Sequence, residues 1–313
     1  MIVFKDFIDY RFLCLTIELT GDEGTPLNES LLAHESWLRL SPFFGTFALM
    51  ALWEVMAPRR ALEVARGIRW ANNLTLVVLN TFLLRIIFPT TAVGLALHVA
   101  EHNEGLLNQM NLPGFARFAI GMVALDLAIY LQHILFHAVP ALWRLHRVHH
   151  ADLDFDVTTG ARFHPLEIVL SMLIKFAAIT VLGPPAVAVL AFEILLNATA
   201  LFNHSNVRLP VRLDDVLRWL IVTPDMHRVH HSIVPDETNH NFGFNLSVWD
   251  RLLGTYRGQP AGGHVTMTIG IPEYRGPHQI NRLDGMLLMP FVGAVTESTN
   301  KHRPGNTPTT FSS

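Results

Sequence analysis

The sequence predicts an all-α integral membrane protein, a bundle of four to five hydrophobic helices with a histidine-rich helical cap on the cytoplasmic side. Composition is the first observation behind this prediction. Of the 313 residues, 50% are hydrophobic and only 16% are charged, whereas soluble domains carry about 25% charged residues. The positive mean hydropathy of +0.32 agrees with a membrane protein.

Long apolar stretches are the second observation, because a helix needs about 20 mostly apolar residues to cross a bilayer. A soluble core helix is the alternative for each stretch alone, but four long stretches in one chain favour a membrane. The second stretch contains Arg85 and Pro89, so we expect it to be kinked or divided into a span and a re-entrant piece. Gly183-Pro184-Pro185 separates the last two and predicts a hairpin. The stretches are Leu38–Val55, Leu74–Ala100, Phe115–Val139, Leu166–Leu182 and Ala186–Phe202.

These stretches divide the chain into three parts. Residues 1–37 are predicted to form an interfacial or loop segment, and Lys5 and Asp6 argue against a cleavable signal peptide. Residues 38–258 form the membrane-embedded domain. Residues 259–313 form a polar, partly disordered extension, in which the tail Glu297–Ser313 is rich in Thr, Asn and Pro.

The short loops predict the orientation in the membrane. Four arginines lie between the first two stretches, at positions 59, 60, 66 and 69, whereas residues 101–114 contain no Lys or Arg. The basic loop should be cytoplasmic. The whole chain after His204 is then expected to remain on the cytoplasmic side. The compact plan and the absence of a retention signal at Phe311–Ser313 favour a bacterial inner membrane over the endoplasmic reticulum.

Charge and cysteine content exclude several classes of function. The net charge of −3 leaves no basic surface for nucleic acid, so we expect no such partner. The single cysteine, Cys14, excludes a disulfide framework, a Cys-ligated zinc site and an iron–sulfur cluster held by this chain alone. Any metal must therefore be bound by His, Asp or Glu.

Histidines are numerous and bunched, with 17 in the chain. Three clusters have the spacings HxxxH, HxxHH and HxxHH, which place their imidazoles on one face of a helix. The predicted topology brings all three clusters to the same membrane face. Eight imidazoles exceed the needs of one tetrahedral zinc site but suit two metal ions with open positions. The clusters are His133/His137, His146/His149/His150 and His227/His230/His231.

A polar stripe extends the first cluster into the third stretch, since Asp126, Tyr130, His133 and His137 are spaced 4, 3 and 4 residues apart. An acid within a span is a candidate functional residue, so we predict Asp126 and Tyr130 as catalytic residues. A structural hydrogen bond is the alternative role for Asp126.

Further polar residues fall within or at the ends of the stretches. His204 is predicted as a ninth ligand, because it lies where the last stretch meets the cytoplasmic face. The roles of His164 and His240 remain open, and Glu193 and Asn197, four residues apart within a stretch, are treated with the same caution as Asp126.

The three ordered clusters resemble the fatty acid hydroxylase superfamily, also called the sterol desaturase family, of integral-membrane non-haem iron enzymes. The resemblance covers about residues 40–258 and extends to the segment Asn241–Tyr256. The three-residue spacing within the first cluster favours the hydroxylase and sterol branch over acyl desaturases. In this family an extra histidine after the preceding hairpin can join the site, and His204 fits that place.

The resemblance implies a centre of two iron ions that activates O2 to attack a C–H bond of a membrane lipid. The lipid is sterol-like, fatty acyl or an ether lipid, and the product is hydroxylated or desaturated. Imidazole also accepts zinc and copper, so the purified protein can contain zinc. The nine ligands implied are His133, His137, His146, His149, His150, His204, His227, His230 and His231.

The chemistry implied by the resemblance needs electrons from a separate redox partner of the reductase, ferredoxin or cytochrome type. The chain contains no convincing GxGxxG fingerprint and no cysteine cluster. Six residues at the predicted cytoplasmic face fit two roles: a basic docking surface for this partner, or anchors at the lipid headgroups. They are Trp143, Arg144, Arg147, Arg208, Arg212 and Arg228.

Two other classes of function compete with an oxygenase. A metal transporter would carry its ligands near the bilayer midplane on several spans, whereas most histidines here lie at one membrane face. A membrane zinc hydrolase would use HExxH or HxxEH, and neither motif occurs in the chain. The particular lipid, its reacting carbon and the oligomeric state do not follow from the sequence.

Overall fold

The structure, a computed structural model, describes residues 26–293. Over this range the chain forms α-helices, two short 3₁₀ turns and three isolated β-bridges, in agreement with the predicted all-α class. The expectations for residues 1–25 and for Glu297–Ser313 fall outside the described residues. The helices are α1 Pro26–Ala33, α2 Glu35–Met56, α3 Arg66–Ile87, α4 Ala92–Glu101, α5 Leu106–Gln109, α6 Gly114–Ala138, α7 Pro140–His150, α8 Pro165–Leu182, α9 Ala186–Asn203, α10 Val211–Leu217, α11 Pro224–His230, α12 Pro235–Thr238, α13 Val248–Leu252, α14 Gly263–Thr266, α15 Pro277–Ile280 and α16 Leu283–Leu288.

Four helical stretches within residues 26–293 are long and apolar enough to cross a membrane, which agrees with the predicted bundle. They are Arg66–Gln109, Gly114–Ala138, Pro165–Leu182 and Ala186–Asn203. The first predicted stretch corresponds to α2, which is 22 residues long but does not belong to these four. It contains Arg39 and the fully buried Glu54 and packs extensively against α9.

The second predicted stretch is divided, as Arg85 and Pro89 led us to expect. Helix α3 ends at Ile87, and α4 begins at Ala92 with Thr91 as its N-cap, the Thr91 side chain accepting a hydrogen bond from Gly94 N. The break lies beside α8, because the rings of Phe88 and Phe176 are 5.2 Å apart. Pro89, Thr90 and Thr91 in the break are nevertheless exposed, so the irregular backbone lies at the surface of the helix bundle.

The α8–α9 hairpin turns at Gly183, which has a left-handed φ of 63° and caps α8. Gly105, with φ of 79°, lies against it, and a Cβ at Gly105 would be 2.5 Å from the Gly183 backbone. Both positions therefore require glycine. The apolar core between α4, α6, α8 and α9 is built from buried residues such as Leu125, Ile179 and Phe192.

A buried charge network joins α3 to the loop that follows α7. The Arg69 guanidinium, with no exposed surface, donates two hydrogen bonds of 2.8 Å to Asp152 and also pairs with Asp156. Burial alone would raise the pKa of Asp152, but Arg69 and Arg162 lower it to about 2. Asp152 is therefore ionised, and the loop that follows α7 is fixed against α3.

The segment 259–293 covers the cap. Buried apolar side chains of this segment pack against Leu76 and Val148. Buried arginines of the domain donate hydrogen bonds to its carbonyl groups: Arg60 to Met267 O at 2.8 Å, Arg162 to Ile280 O, and Arg147 to Met289 O.

Candidate metal centre

The nine predicted histidines converge at the cap end of the bundle. Helix α6 ends with His133 and His137, α7 carries the second cluster, and α11 with the residue after it carries the third. His204 is the C-cap of α9. All nine side chains are buried, with at most 5% of their surface exposed.

The histidines form two groups, in each of which one ligand atom per residue lies within 4.8 Å of all the others. The group of five takes both residues of the first cluster and one or two residues from each HxxHH cluster. The group of four takes the remaining ones and His204. The members are His133, His137, His146, His150 and His230 in the group of five, and His149, His204, His227 and His231 in the group of four.

Backbone carbonyls fix the tautomer of three of these imidazoles. Nδ1 of His133 donates to Phe242 O at 2.7 Å, that of His204 to Ala200 O at 2.8 Å, and that of His230 to His240 O at 2.8 Å. A carbonyl oxygen only accepts hydrogen bonds, so Nδ1 carries the proton in each case. In the neutral ring Nε2 is then a lone-pair donor to a metal.

The Nε2 atoms face one another at short distances. His133 and His146 are 3.1 Å apart at Nε2, His137 and His150 3.1 Å, His204 and His149 3.2 Å, and His204 and His227 3.0 Å. In the His133–His146 pair Nδ1 of each ring faces an oxygen acceptor, so both Nε2 atoms carry lone pairs, which repel at 3.1 Å unless a cation lies between them. Two nitrogens each about 2.1 Å from one ion and at a right angle are about 3 Å apart, so the donor sets fit metal ions.

Unpartnered ring nitrogens support the same interpretation. Nε2 of His230 and both ring nitrogens of His231 have no hydrogen-bond partner among residues 26–293, although both residues are buried. An unsatisfied buried polar atom is costly and calls for an explanation. A coordinated metal ion satisfies such nitrogens.

The electrostatics of the cap keep its histidines neutral. Burial lowers the pKa of His146 and of His204 to about 3. Burial, reinforced by neighbouring imidazoles, lowers the pKa of five others well below the usual value. These are His149, His150, His227, His230 and His231. Neutral imidazole is the form that binds metals.

The groups that hold the clustered histidines were not predicted from the sequence. Oε1 of Glu167 lies 2.6 Å from Nδ1 of His146, in the place of a carboxylate that orients a metal-bound imidazole. The carbonyls of His240 and Phe242 have the same role for His230 and His133. A signal for Glu167 was present in the motif Arg162–Glu167, where the acid follows a helix start near the clusters.

The two predicted catalytic residues hold the segment 241–256 in place. Oδ2 of Asp126 accepts hydrogen bonds from Trp249 Nε1 at 2.8 Å and from Leu246 N at 3.3 Å. Tyr130 Oη lies 2.7 Å from Thr255 Oγ1. This segment supplies the carbonyl that fixes His133. Asp126 thus makes the hydrogen bonds expected of the alternative role, and the catalytic role of Asp126 and Tyr130 stays a prediction.

The remaining histidines have other positions. His164 is the N-cap of α8, with its Nδ1 accepting from Leu166 N at 3.2 Å. His240 contributes its carbonyl to His230. Neither belongs to the two groups of clustered histidines.

A cavity of about 810 Å³ opens onto the group of five. Its walls come from α2, α3, α6, α8 and α9, and His133 and His146 line its inner end. Phe136, Phe163 and Phe244 contribute apolar surface beside these histidines. The size suits one lipid chain or a compact ring system.

Comparison with known proteins adds to this geometry. The family model described as fatty acid hydroxylase matches residues 118–255. The ornithine lipid hydroxylase OlsE of Rhizobium tropici is 27% identical over 233 residues, which cover 72% of this chain and 69% of that protein. No solved structure matches.

Two relatives are matched over shorter regions. The alkylglycerol monooxygenase of Homo sapiens is 27% identical over 140 residues, 44% of this chain and 30% of that protein. The Delta(7)-sterol 5(6)-desaturase of Eremothecium gossypii is 29% identical over 155 residues, 48% of this chain and 41% of that protein. The match thus spans less than half the length of both relatives.

Proposed function

We propose that this chain, whose residues 118–255 match the fatty acid hydroxylase family model, is an O2-dependent diiron oxidoreductase that hydroxylates or desaturates a membrane lipid. The observation that carries the proposal is the opening of the group of five histidines into the cavity between the membrane helices. Bound iron would supply the activation of O2 for attack on a C–H bond.

The residues of this chain would hold the metal and the lipid. The group of five and the group of four would each bind one ion, with Glu167 and the carbonyls of His240 and Phe242 fixing the rings. The apolar walls beside His133 would bind the lipid and exclude water from the inner end of the cavity.

Electrons would come from a separate redox partner at the cytoplasmic face of a bacterial inner membrane. Of the basic residues considered for docking, Arg147 and Arg228 are buried and donate to protein oxygens, so they are not available to a partner. Arg208 and Arg212 are exposed on the cap and remain candidates.

Metal content tests the proposal. We expect iron in the full-length, detergent-purified protein, with His149→Ala removing the ion of the group of four and His230→Ala that of the group of five. The double variant should lose both ions and all O2 consumption with lipid. His34→Ala is the control, since His34 is exposed, lies outside both groups of histidines and bonds through Nδ1 to Ser30 O.

Two results would contradict the proposal. One is folded, iron-supplied protein that contains no metal. The other is protein that contains only zinc and hydrolyses lipid without consuming O2, which would establish a hydrolase instead.

A further inference from the structure

The end of the cavity away from the histidines carries charged residues. Arg39, Arg85, Lys175 and Glu193, here called the distal cluster, come from α2, α3, α8 and α9 and all line the cavity. Lys175 is eight residues after Glu167 on α8, so the cluster lies about 12 Å along that helix from the inner end. Ionisable residues inside a bundle are expensive and mark substrate pathways.

One acid is shared between two of these cations. Glu193 is bound by Arg39 Nη2 at 2.6 Å and by Lys175 Nζ at 2.5 Å. Arg39 also donates to Glu35 at 2.8 Å. With Arg85 included, three cations face two acids, so the distal end of the cavity has an uncompensated positive charge.

Hydrogen-bond donors at this end exceed the acceptors. Arg85 has no hydrogen bond or ion pair to any residue within 26–293, and Lys175 uses one of its three N–H groups, on Glu193. Charged side chains at membrane depth are costly and usually pair with a partner. The surplus donors therefore suit a ligand with acceptor oxygens and negative charge.

The cavity opens where this positive charge lies. The exposed wall residues concentrate between Thr81 and Thr91, at the end of α3 and in the break before α4, and Arg85 is among them. The break is level with the distal cluster, because Phe88 contacts Phe176, the neighbour of Lys175. Phe82 and Ile86, beside Arg85, are 64% and 65% exposed and present an apolar outer surface.

We infer that the distal cluster is a subsite for the anionic group of a lipid, a carboxylate or a phosphate, with Arg85 and Lys175 as its principal donors. The acyl chain of such a lipid extends from the mouth toward His133, which places its reacting carbon about 12 Å from the anionic group. This inference rests on the proposed function, and it adds the substrate class, an acidic lipid rather than a neutral one.

Equilibrium binding to the full-length protein in detergent at pH 8 tests the subsite. The probes are hexadecanoate, hexadecyl phosphate and hexadecan-1-ol, which share one chain and differ in the polar group. We expect either acid to bind at least about tenfold more tightly than the alcohol, as a charged hydrogen bond provides. The tighter of the two acids identifies whether carboxylate or phosphate is the natural group.

Arg85 is the residue to change, because no described residue depends on it. Arg85→Gln should abolish the preference for acids, and Arg85→Lys should retain part of it. Arg212→Gln, which removes an exposed arginine outside the cavity, should leave the preference unchanged. Equal binding of acid and alcohol to the unchanged protein, or an acid preference that persists in Arg85→Gln, would overturn the inference.

The binding measurement needs neither O2 nor electrons, so it separates the two proposals. Acid preference in folded, iron-supplied protein that contains no metal would uphold the subsite and contradict the oxygenase. Iron-dependent lipid oxidation without acid preference would uphold the oxygenase and contradict the subsite.

Discussion

At the scale of single residues, the candidate metal centre depends on what each imidazole contacts through the ring nitrogen that faces away from the other histidines. Three rings are held by carbonyls, but His146 is held by a side chain, Glu167, at 2.6 Å. His146 also lines the cavity. Its orientation therefore affects both the group of five histidines and the wall of the cavity.

Replacing Glu167 should weaken metal binding without removing a ligand. Glu167→Leu removes the acceptor of the His146 Nδ1 proton, and loss of such a partner typically costs about tenfold to a hundredfold in metal affinity. Glu167→Gln retains an acceptor oxygen and should cost less. Metal retained after dialysis against graded chelator measures the effect.

Glu63→Gln is the matched control for this series, because the Glu63 side chain is 51% exposed and lies 3.8 Å from Arg275. Parental metal retention in Glu167→Leu would show that His146 does not need this carboxylate.

Residue spacing could predict which histidines converge, but not how they divide or what supports them. All nine predicted histidines belong to the two groups, but residues three apart in the HxxHH clusters, His146/His149 and His227/His230, fall into different groups, whereas residues four apart stay together. Their role as ligands stays a prediction. The carbonyls of Phe242 and His240 could not be foreseen, since every residue has a carbonyl and only the folded chain decides its neighbour.

At the scale of elements, the group of four depends on how closely a 3₁₀ turn approaches the end of α9. Gly160 lies in the turn Thr159–Ala161, and a Cβ there would be 2.5 Å from Ala200 O and 3.2 Å from Nδ1 of His204. Ala200 O is the acceptor that fixes the His204 ring. The absent side chain thus allows the turn to approach without displacing this histidine.

Gly160→Ala should displace His204 and lower the metal content of the group of four more than that of the group of five. The contact is with backbone, which cannot move aside cheaply, so we also expect a lower Tm. Metal analysis and thermal unfolding in detergent measure the two effects.

Gly67→Ala is the control, since a Cβ at Gly67 meets nothing within 4 Å and alanine favours a helix. Gly160→Ala protein with the parental metal content and Tm would contradict this account of the turn.

At the scale of elements too, the sequence predicted the helices and their breaks but not the long-range contacts between them. The hairpin α8–α9, the broken second span and α6 follow from apolar length and from Gly and Pro positions. The spacing of Asp126 and Tyr130 predicted two polar groups on one face of α6. It did not predict that the segment 241–256 packs against that face. Long-range partners such as Trp249 leave no local signal.

At the scale of the whole molecule, the C-terminal segment and the membrane domain form one packed body over the described residues. A boundary at residue 258 follows from the change in composition, which becomes rich in Gly, Pro and Thr. Six buried apolar residues nevertheless lie beyond it: Met267, Ile269, Ile271, Ile280, Met286 and Met289. The polar composition of the segment after residue 258 did not predict this packing, because the buried apolar side chains are few and widely spaced.

Truncation after Gly258 should therefore prevent folding, whereas truncation after Gly293 should not. Burying six such side chains contributes about 9–18 kcal/mol, comparable with the total stability of about 5–15 kcal/mol of a typical domain. The shorter chain also leaves Arg60, Arg147 and Arg162 buried without their carbonyl acceptors. Yield of monodisperse protein in detergent, Tm and metal content compare the two truncations. A protein ending at Gly258 with the parental Tm would show that the cap and its histidines are held by the membrane helices alone.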